Sequence, residues 1–231
     1  LLLIMYPKAE LDLVTRANTI RLCEKLLHAH PSEAKSHSVY GDFLYLDGQR
    51  KNARASYYKT LEFDQSRFAI WNQILLLDSE LNDEESMLID SEKALELFPT
   101  QPSIYLFNGS ANNQLKNYSA AIKSLKTGSQ MVVGNYFLSA QLLASLGDAY
   151  HELGHIKSSD SAYTGSLRYD STNLYVLNNF AYFLSIRKEE LQKAKAMSLK
   201  TVEAEPTNAS YLDTYGWILY QLNLFSEAAI Y

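Results

Sequence analysis

Between Ala34 and Arg67 the apolar positions fall into two helical stripes. His37, Tyr40, Gly41 and Leu44 follow one another at spacings of 3, 1 and 3, which lays them along one side of a helix. Asp47-Gly48-Gln49 then breaks the stripe with a residue suited to the left-handed cap conformation. Ala53, Tyr57 and Thr60 mark a second stripe of period 3 to 4. The pattern predicts a helix, a tight turn and an antiparallel helix. Asp64 and Gln65 close this segment, where Pro31 and Pro99 close its neighbours by forbidding helix continuation.

The pattern returns along the chain. Gly41, Leu75, Gly109, Gly147, Ala181 and Gly216 are successive copies of one small or apolar slot, 34, 34, 38, 34 and 35 residues apart. Ala53, Met87, Ala121, Ser159, Ala194 and Ala228 follow in phase, and Pro31, Pro99 and Pro206 recur near segment ends. Repeats of this length stack so that each buries its apolar face against its neighbours. The expected fold is all-α, a right-handed superhelical solenoid of antiparallel helix pairs. One solenoid domain is expected over 1–231, with repeats near 1–33 (partial), 34–67, 68–101, 102–139, 140–173, 174–208 and 209–231 (truncated). Two helices crossing closely leave no room for a side chain at the Gly41 slot, and Ala53 is expected to supply the matching gap. Trp71, Tyr57, Tyr105, Tyr150 and Tyr163 fill the bulky slots as core.

The order of an aromatic, Leu, Gly, Tyr, Ala, an aromatic and Pro resembles the tetratricopeptide repeat family over nearly the whole chain. The best copies are Leu146-Gly147-Asp148-Ala149-Tyr150-His151-Glu152-Leu153-Gly154 and Tyr211-Leu212-Asp213-Thr214-Tyr215-Gly216-Trp217-Ile218-Leu219-Tyr220. Asn178-Asn179-Phe180-Ala181-Tyr182 followed by Asp213-Thr214-Tyr215-Gly216-Trp217 is similar to the tail of bacterial members, which implies a bacterial cytoplasmic or periplasmic setting. The departures are Leu75 in the small slot, four residues inserted around Val132 to Tyr136, and one near Lys188 to Leu191. These insertions are expected to lengthen a helix or its turn. The resemblance implies a binding scaffold without catalysis or cofactor. Some family members clamp a chaperone's C-terminal carboxylate with Lys and Asn; the matching positions here, Ser38, Asp42, Gln73, Ser103 and Phe107, carry no such set.

Composition narrows the partner. The 231 residues are 47% hydrophobic with a net charge of -5, and no basic stripe speaks for nucleic acid. The longest apolar run, Leu1 to Tyr6, falls far short of the ~20 residues a bilayer crossing needs. Both ends of the chain are apolar and fall mid-repeat, so the expectation is a fragment of a longer array or ends that meet something else. A lone Cys23 forms no internal disulfide and falls in an apolar helical pattern.

One motif invites a catalytic reading. His151-Glu152-Leu153-Gly154-His155 matches H-E-x-x-H, in which two imidazoles one turn apart hold zinc and the Glu acts as base. That chemistry needs both His on one face of an uninterrupted helix, whereas Gly154 falls at the turn of the repeat, so no metal is expected there. The alternatives to an adaptor are therefore a zinc-dependent peptidase on this motif and a structural subunit that self-associates through its repeat ends.

In stacked repeats the first helices line the inner wall, and repeat positions 2, 5, 9 and 12 face outward from it. The expected peptide-binding groove comprises Asn72, Gln73, Asn113, Asp148, His151, Tyr175, Asn178, Asn179, Tyr182, Asp213, Trp217 and Tyr220. Amides offer both donors and acceptors, matching the backbone of an extended peptide whatever its sequence, and the aromatics gather toward the C-terminal end. The expected partner is a protein or peptide segment.

Overall fold

A computed structural model describes the backbone of residues 2–231 and the side chains of residues 6–10 and 12–231; the side chains of the apolar opening Leu1–Met5 lie outside that range. Among the described residues there are helices and turns and no strand. The chain packs as two compact units, Leu1–Met131 and Val132–Tyr231.

The first unit holds α1 (Leu2–Leu11), α2 (Leu13–Ala29), α3 (Ala34–Leu46), α4 (Arg50–Phe63), α5 (Phe68–Glu80), α6 (Glu84–Leu97), α7 (Pro102–Gln114) and α8 (Tyr118–Met131). The second holds α9 (Tyr136–Glu152), α10 (Ile156–Tyr169), α11 (Leu174–Arg187), α12 (Leu191–Ala204), α13 (Ala209–Gln221) and the single turn α14 (Phe225–Ala228). Each odd-numbered helix packs on the even-numbered helix that follows it, as an antiparallel pair. Within the units, α1 also meets α3, α5 meets α7, and α11 meets α13, so the first helices form a wall. This is the all-α solenoid architecture of stacked helix pairs expected from the period.

From α3 onward, the turn inside each pair repeats one backbone state. Gly48 (φ 78), Asn82 (φ 51), Lys116 (φ 63), Gly154 (φ 71), Lys188 (φ 57) and Asn223 (φ 63) all sit in the left-handed region. Only two of them are glycine, so four repeats hold a side chain where a Cβ is disfavoured. The extra residue near Lys188 is absorbed here, with Glu190 also at positive φ (42). The four-residue insertion goes into a helix instead: α9 has 17 residues where α3, α5, α7 and α13 have 13.

The small slot has a physical cause different from the one the spacing suggests. A Cβ built on Gly41 would lie 2.7 Å from Tyr57 Cε1, one on Gly109 would lie 2.3 Å from Leu125 Cγ, and one on Gly147 would lie 2.7 Å from Tyr163. The occupant is the residue one turn beyond the Ala53 slot, not the slot itself. Where Leu75 replaces the glycine, the corresponding residue is Ser91, and both are fully buried. Where Ala181 stands, it is Ser198, also fully buried. Large and small side chains thus alternate across the crossing to keep its volume filled.

Between successive pairs, ion pairs tie a second helix to the next first helix. Arg54 of α4 reaches Asp78 of α5 at 2.5 Å and Asp83 at 2.8 Å. In the second unit the polarity is reversed: Asp160 of α10 takes Arg187 of α11 at 2.9 and 3.0 Å.

Candidate binding wall on the first helices

In the first unit, Asn72 and Gln73 of α5 and Asn113 of α7 lie half-buried on the wall. The Asn72 Oδ1 accepts a long bond from the Ser103 hydroxyl at 3.4 Å, and Gln73 Oε1 is buried without a partner.

The second unit brings the remaining residues together in two clusters. In the first, Asp148 of α9 accepts from the Tyr163 hydroxyl at 2.6 Å and from the Tyr175 hydroxyl at 3.0 Å. Burial pushes the Asp148 carboxyl above the usual carboxylate range, against the pull of those two bonds. Both carboxylate oxygens are therefore engaged from within the fold. His151 stacks on Phe183 of α11 with ring centroids 3.4 Å apart, and its Nδ1 is buried without a partner. Burial lowers the pKa of this imidazole below its ordinary value and favours the neutral ring. Asn178 is only 9% exposed; its Nδ2 donates to Asn179 Oδ1 at 3.5 Å while its own Oδ1 is buried with no partner. Tyr175 and Tyr182 flank it, both exposed.

The second cluster is on α13. Trp217 and Tyr220 stack with centroids 5.7 Å apart and planes 17° from parallel, and both are exposed. With Asp213 they line a cavity of about 660 Å³, completed by Phe225 of α14 and by Tyr231.

Three of these participants escaped sequence reasoning, Phe183, Phe225 and Tyr231; Tyr163 was expected as core only, and a signal for its bond to Asp148 was present. Asp42 accepts from the Tyr57 hydroxyl at 2.9 Å, so the same Asp and Tyr, fifteen residues apart, recur in two repeats.

The H-E-x-x-H motif straddles a turn. His151 is in the last turn of α9, Gly154 follows at φ 71, and His155 is the residue before α10 begins. The two imidazoles do not share a helix face, and no group of three or more His, Cys, Asp or Glu suited to a metal is found among the described residues.

Residues 140–173, which carry the Asp148 to Tyr163 bond, match the family model described as tetratricopeptide repeat. Solved structures of that architecture superimpose on most of the chain. One from Parabacteroides merdae, a tetratricopeptide repeat protein, is 15% identical with a TM-score of 0.72, covering 98% of this chain and 90% of that one. One tetratricopeptide repeat is thus matched at 140–173, and the fold of the chain is that of tetratricopeptide repeat structures. PilF of Pseudomonas aeruginosa is 17% identical, with a TM-score of 0.72 over 85% of this chain and 87% of its own. YrrB, a tetratricopeptide repeat protein with an unusual peptide-binding site, is 16% identical, with a TM-score of 0.61 over 82% and 95%. At such identities the likeness is one of fold. No curated protein matches the sequence. Among the described residues, no helix is long and apolar enough to cross a membrane.

Proposed function

We propose that this protein is a non-catalytic adaptor that holds an extended segment or helix of a partner protein against the wall formed by its first helices, the repeats acting as one array over 1–231. The observation that carries the reading is Asn178. Its Oδ1 is buried without a partner between exposed Tyr175 and Tyr182, beside Asn179. An orphaned buried acceptor is costly, and a donor such as a partner's backbone N–H relieves it. Exposed aromatics beside hydrogen-bonding groups are the composition of binding hot spots. YrrB's peptide-binding site supports the class of ligand by likeness of fold.

The test is capture of partners from the source organism, followed by affinity measurement with single variants. Asn179→Ala and Trp217→Ala should each weaken binding at least about tenfold, or ~1.4 kcal/mol, with helicity unchanged by circular dichroism. Parent-like binding by both variants would mean the site is elsewhere. The non-catalytic part fails separately: one tightly bound zinc, lost on His155→Ala, would promote the peptidase reading.

A further inference from the structure

We propose that the cavity between α4 and α6 takes an arginine side chain from a partner chain, with its guanidinium against the buried carboxylate of Asp90 and its stem over Leu61 and Trp71. This surface is built chiefly on the second helices. It adds a contact to the adaptor reading and does not depend on the wall of first helices.

The starting point is a charge where the repeat has none. Asp90 stands 34 residues after Ser56 and 34 before Ser124, and the same position carries Ala162 and Met197 in the second unit. All five residues are buried. Ser56 and Ser124 donate back to carbonyls of the preceding first helix, to His37 at 2.9 Å and to Tyr105 at 3.4 Å. The fold thus closes this position with a small hydroxyl or an apolar group and has no need of a carboxylate. A local rule broken in one repeat points to function there.

The carboxylate is also short of a cation. Asp90 Oδ2 accepts from the Tyr58 hydroxyl. Its ion-pair partner among the described residues is Lys93, whose Nζ lies 3.5 Å from Oδ1 on a side chain that is 58% exposed. Asp78, buried on α5, has the Arg54 guanidinium at 2.5 Å instead. Arg54 lies one turn before Tyr58 on α4, but it is taken up by Asp78 and Asp83. A buried carboxylate is costly without a close, well-bonded partner.

The space beside Asp90 fits such a partner. The cavity measures about 450 Å³. Leu61 and Trp71, both buried, give it apolar surface for an aliphatic stem. Its charged lining is Glu62, Asp90 and Glu96 against Lys93, three carboxylates to one ammonium. Glu62 pairs with Lys59 at 2.8 Å, both exposed, and Glu96 has no ion-pair partner among the described residues. A guanidinium carries five donors in a fixed fork and can serve more than one carboxylate, whereas an ammonium is a strongly hydrated point charge.

Trp71 reports on this cavity, because its indole Nε1 donates at 3.0 Å to the carbonyl of Gln65, another lining residue. The experiment follows that indole N–H resonance in the full ¹⁵N-labelled chain during titration with acetyl-Gly-Arg-Gly-amide. The expected result is a saturable shift, with binding at least about tenfold weaker for the peptide with citrulline, the uncharged isostere of arginine. Asp90→Ser gives the position the side chain it has at Ser56 and Ser124, and should keep helicity while weakening the arginine peptide at least about tenfold. Glu96→Gln, a change at an exposed position, should weaken it about threefold. No shift, equal binding of the citrulline peptide, or parent-like binding by both variants would overturn the proposal, and equal binding of the lysine peptide would overturn the choice of arginine. Loss of a partner on Asn179→Ala bears on the wall of first helices and leaves this titration unchanged, so the two readings fail separately.

Discussion

At the residue scale, two positions separate backbone conformation from side-chain packing. Nothing lies within 4 Å of a Cβ built on Gly48, so any loss on Gly48→Ala comes from the left-handed φ of 78 alone. We expect about 1 kcal/mol of destabilisation in urea unfolding, and the opposite sign for Lys116→Gly, which relieves the same conformation at φ 63 by roughly 0.5 kcal/mol. A neutral Gly48→Ala would show that the turn does not constrain the repeat. Asp78 offers a test by pH. Its side chain is fully buried, in a position that carries Leu44, Leu184 and Leu219 in other repeats. Burial, opposed by Arg54 and reinforced by Asp90 and Asp83, raises its carboxyl from 3.8 to about 6. The folded protein therefore keeps this proton to higher pH than the unfolded chain does. Stability from this source is present below about pH 4 and is lost as pH rises through 6, at about 1.4 kcal/mol for each pH unit between the two values. Compared with Asp78→Asn, the parent should gain unfolding free energy as pH falls from 7 to 4; a pH-independent difference would contradict the burial argument.

At the scale of the helix pair, the crossing is governed by paired volumes. Gly147→Leu drives a side chain into Tyr163 and should cost roughly 1 to 3 kcal/mol. Tyr163→Ser, added to it, reproduces the arrangement of Leu75 with Ser91 and should recover part of the loss, so a double-mutant cycle should show favourable coupling. Additive losses would sink the idea. This pairing marks the limit of what periodicity reveals. The spacing of Gly41, Gly109 and Gly147 announces that something must be small, and the Gly48 and Gly154 positions announce the turn. Which residue fills the space depends on how two helices cross, and the structure gives Tyr57, Leu125 and Tyr163 rather than the Ala53 slot. Likewise, the period detects four extra residues around Val132 to Tyr136, but only the hydrogen-bonded backbone assigns them to α9. The period also assigns an outward face to each first helix. What was not legible is the fate of its polar atoms, because Asp148 is bound by hydroxyls from α10 and α11, and Asn178 is buried by its neighbours.

At the scale of the molecule, the packing pairs set how far a local change travels. Within each unit, helices meet those next to them in the chain or one further along. In such a stack, stability is approximately a sum of repeat terms and nearest-neighbour interfaces, so damage at one crossing is transmitted to adjacent repeats and decays beyond them. Gly147 lies on α9 against α10, whose Tyr163 in turn packs near Phe180 of α11 with centroids 5.6 Å apart. Phe180 belongs to the same buried cluster as Ala144, Val176, Leu184 and Ile218. The Gly147→Leu lesion therefore has a route through α9, α10 and α11. Native-state hydrogen exchange should find protection lost most between Leu142 and Tyr182, with the amides of α3 to α6 protected as in the parent. A uniform loss of protection over the whole chain would mean that it unfolds as one cooperative body, and the nearest-neighbour description would have to be abandoned.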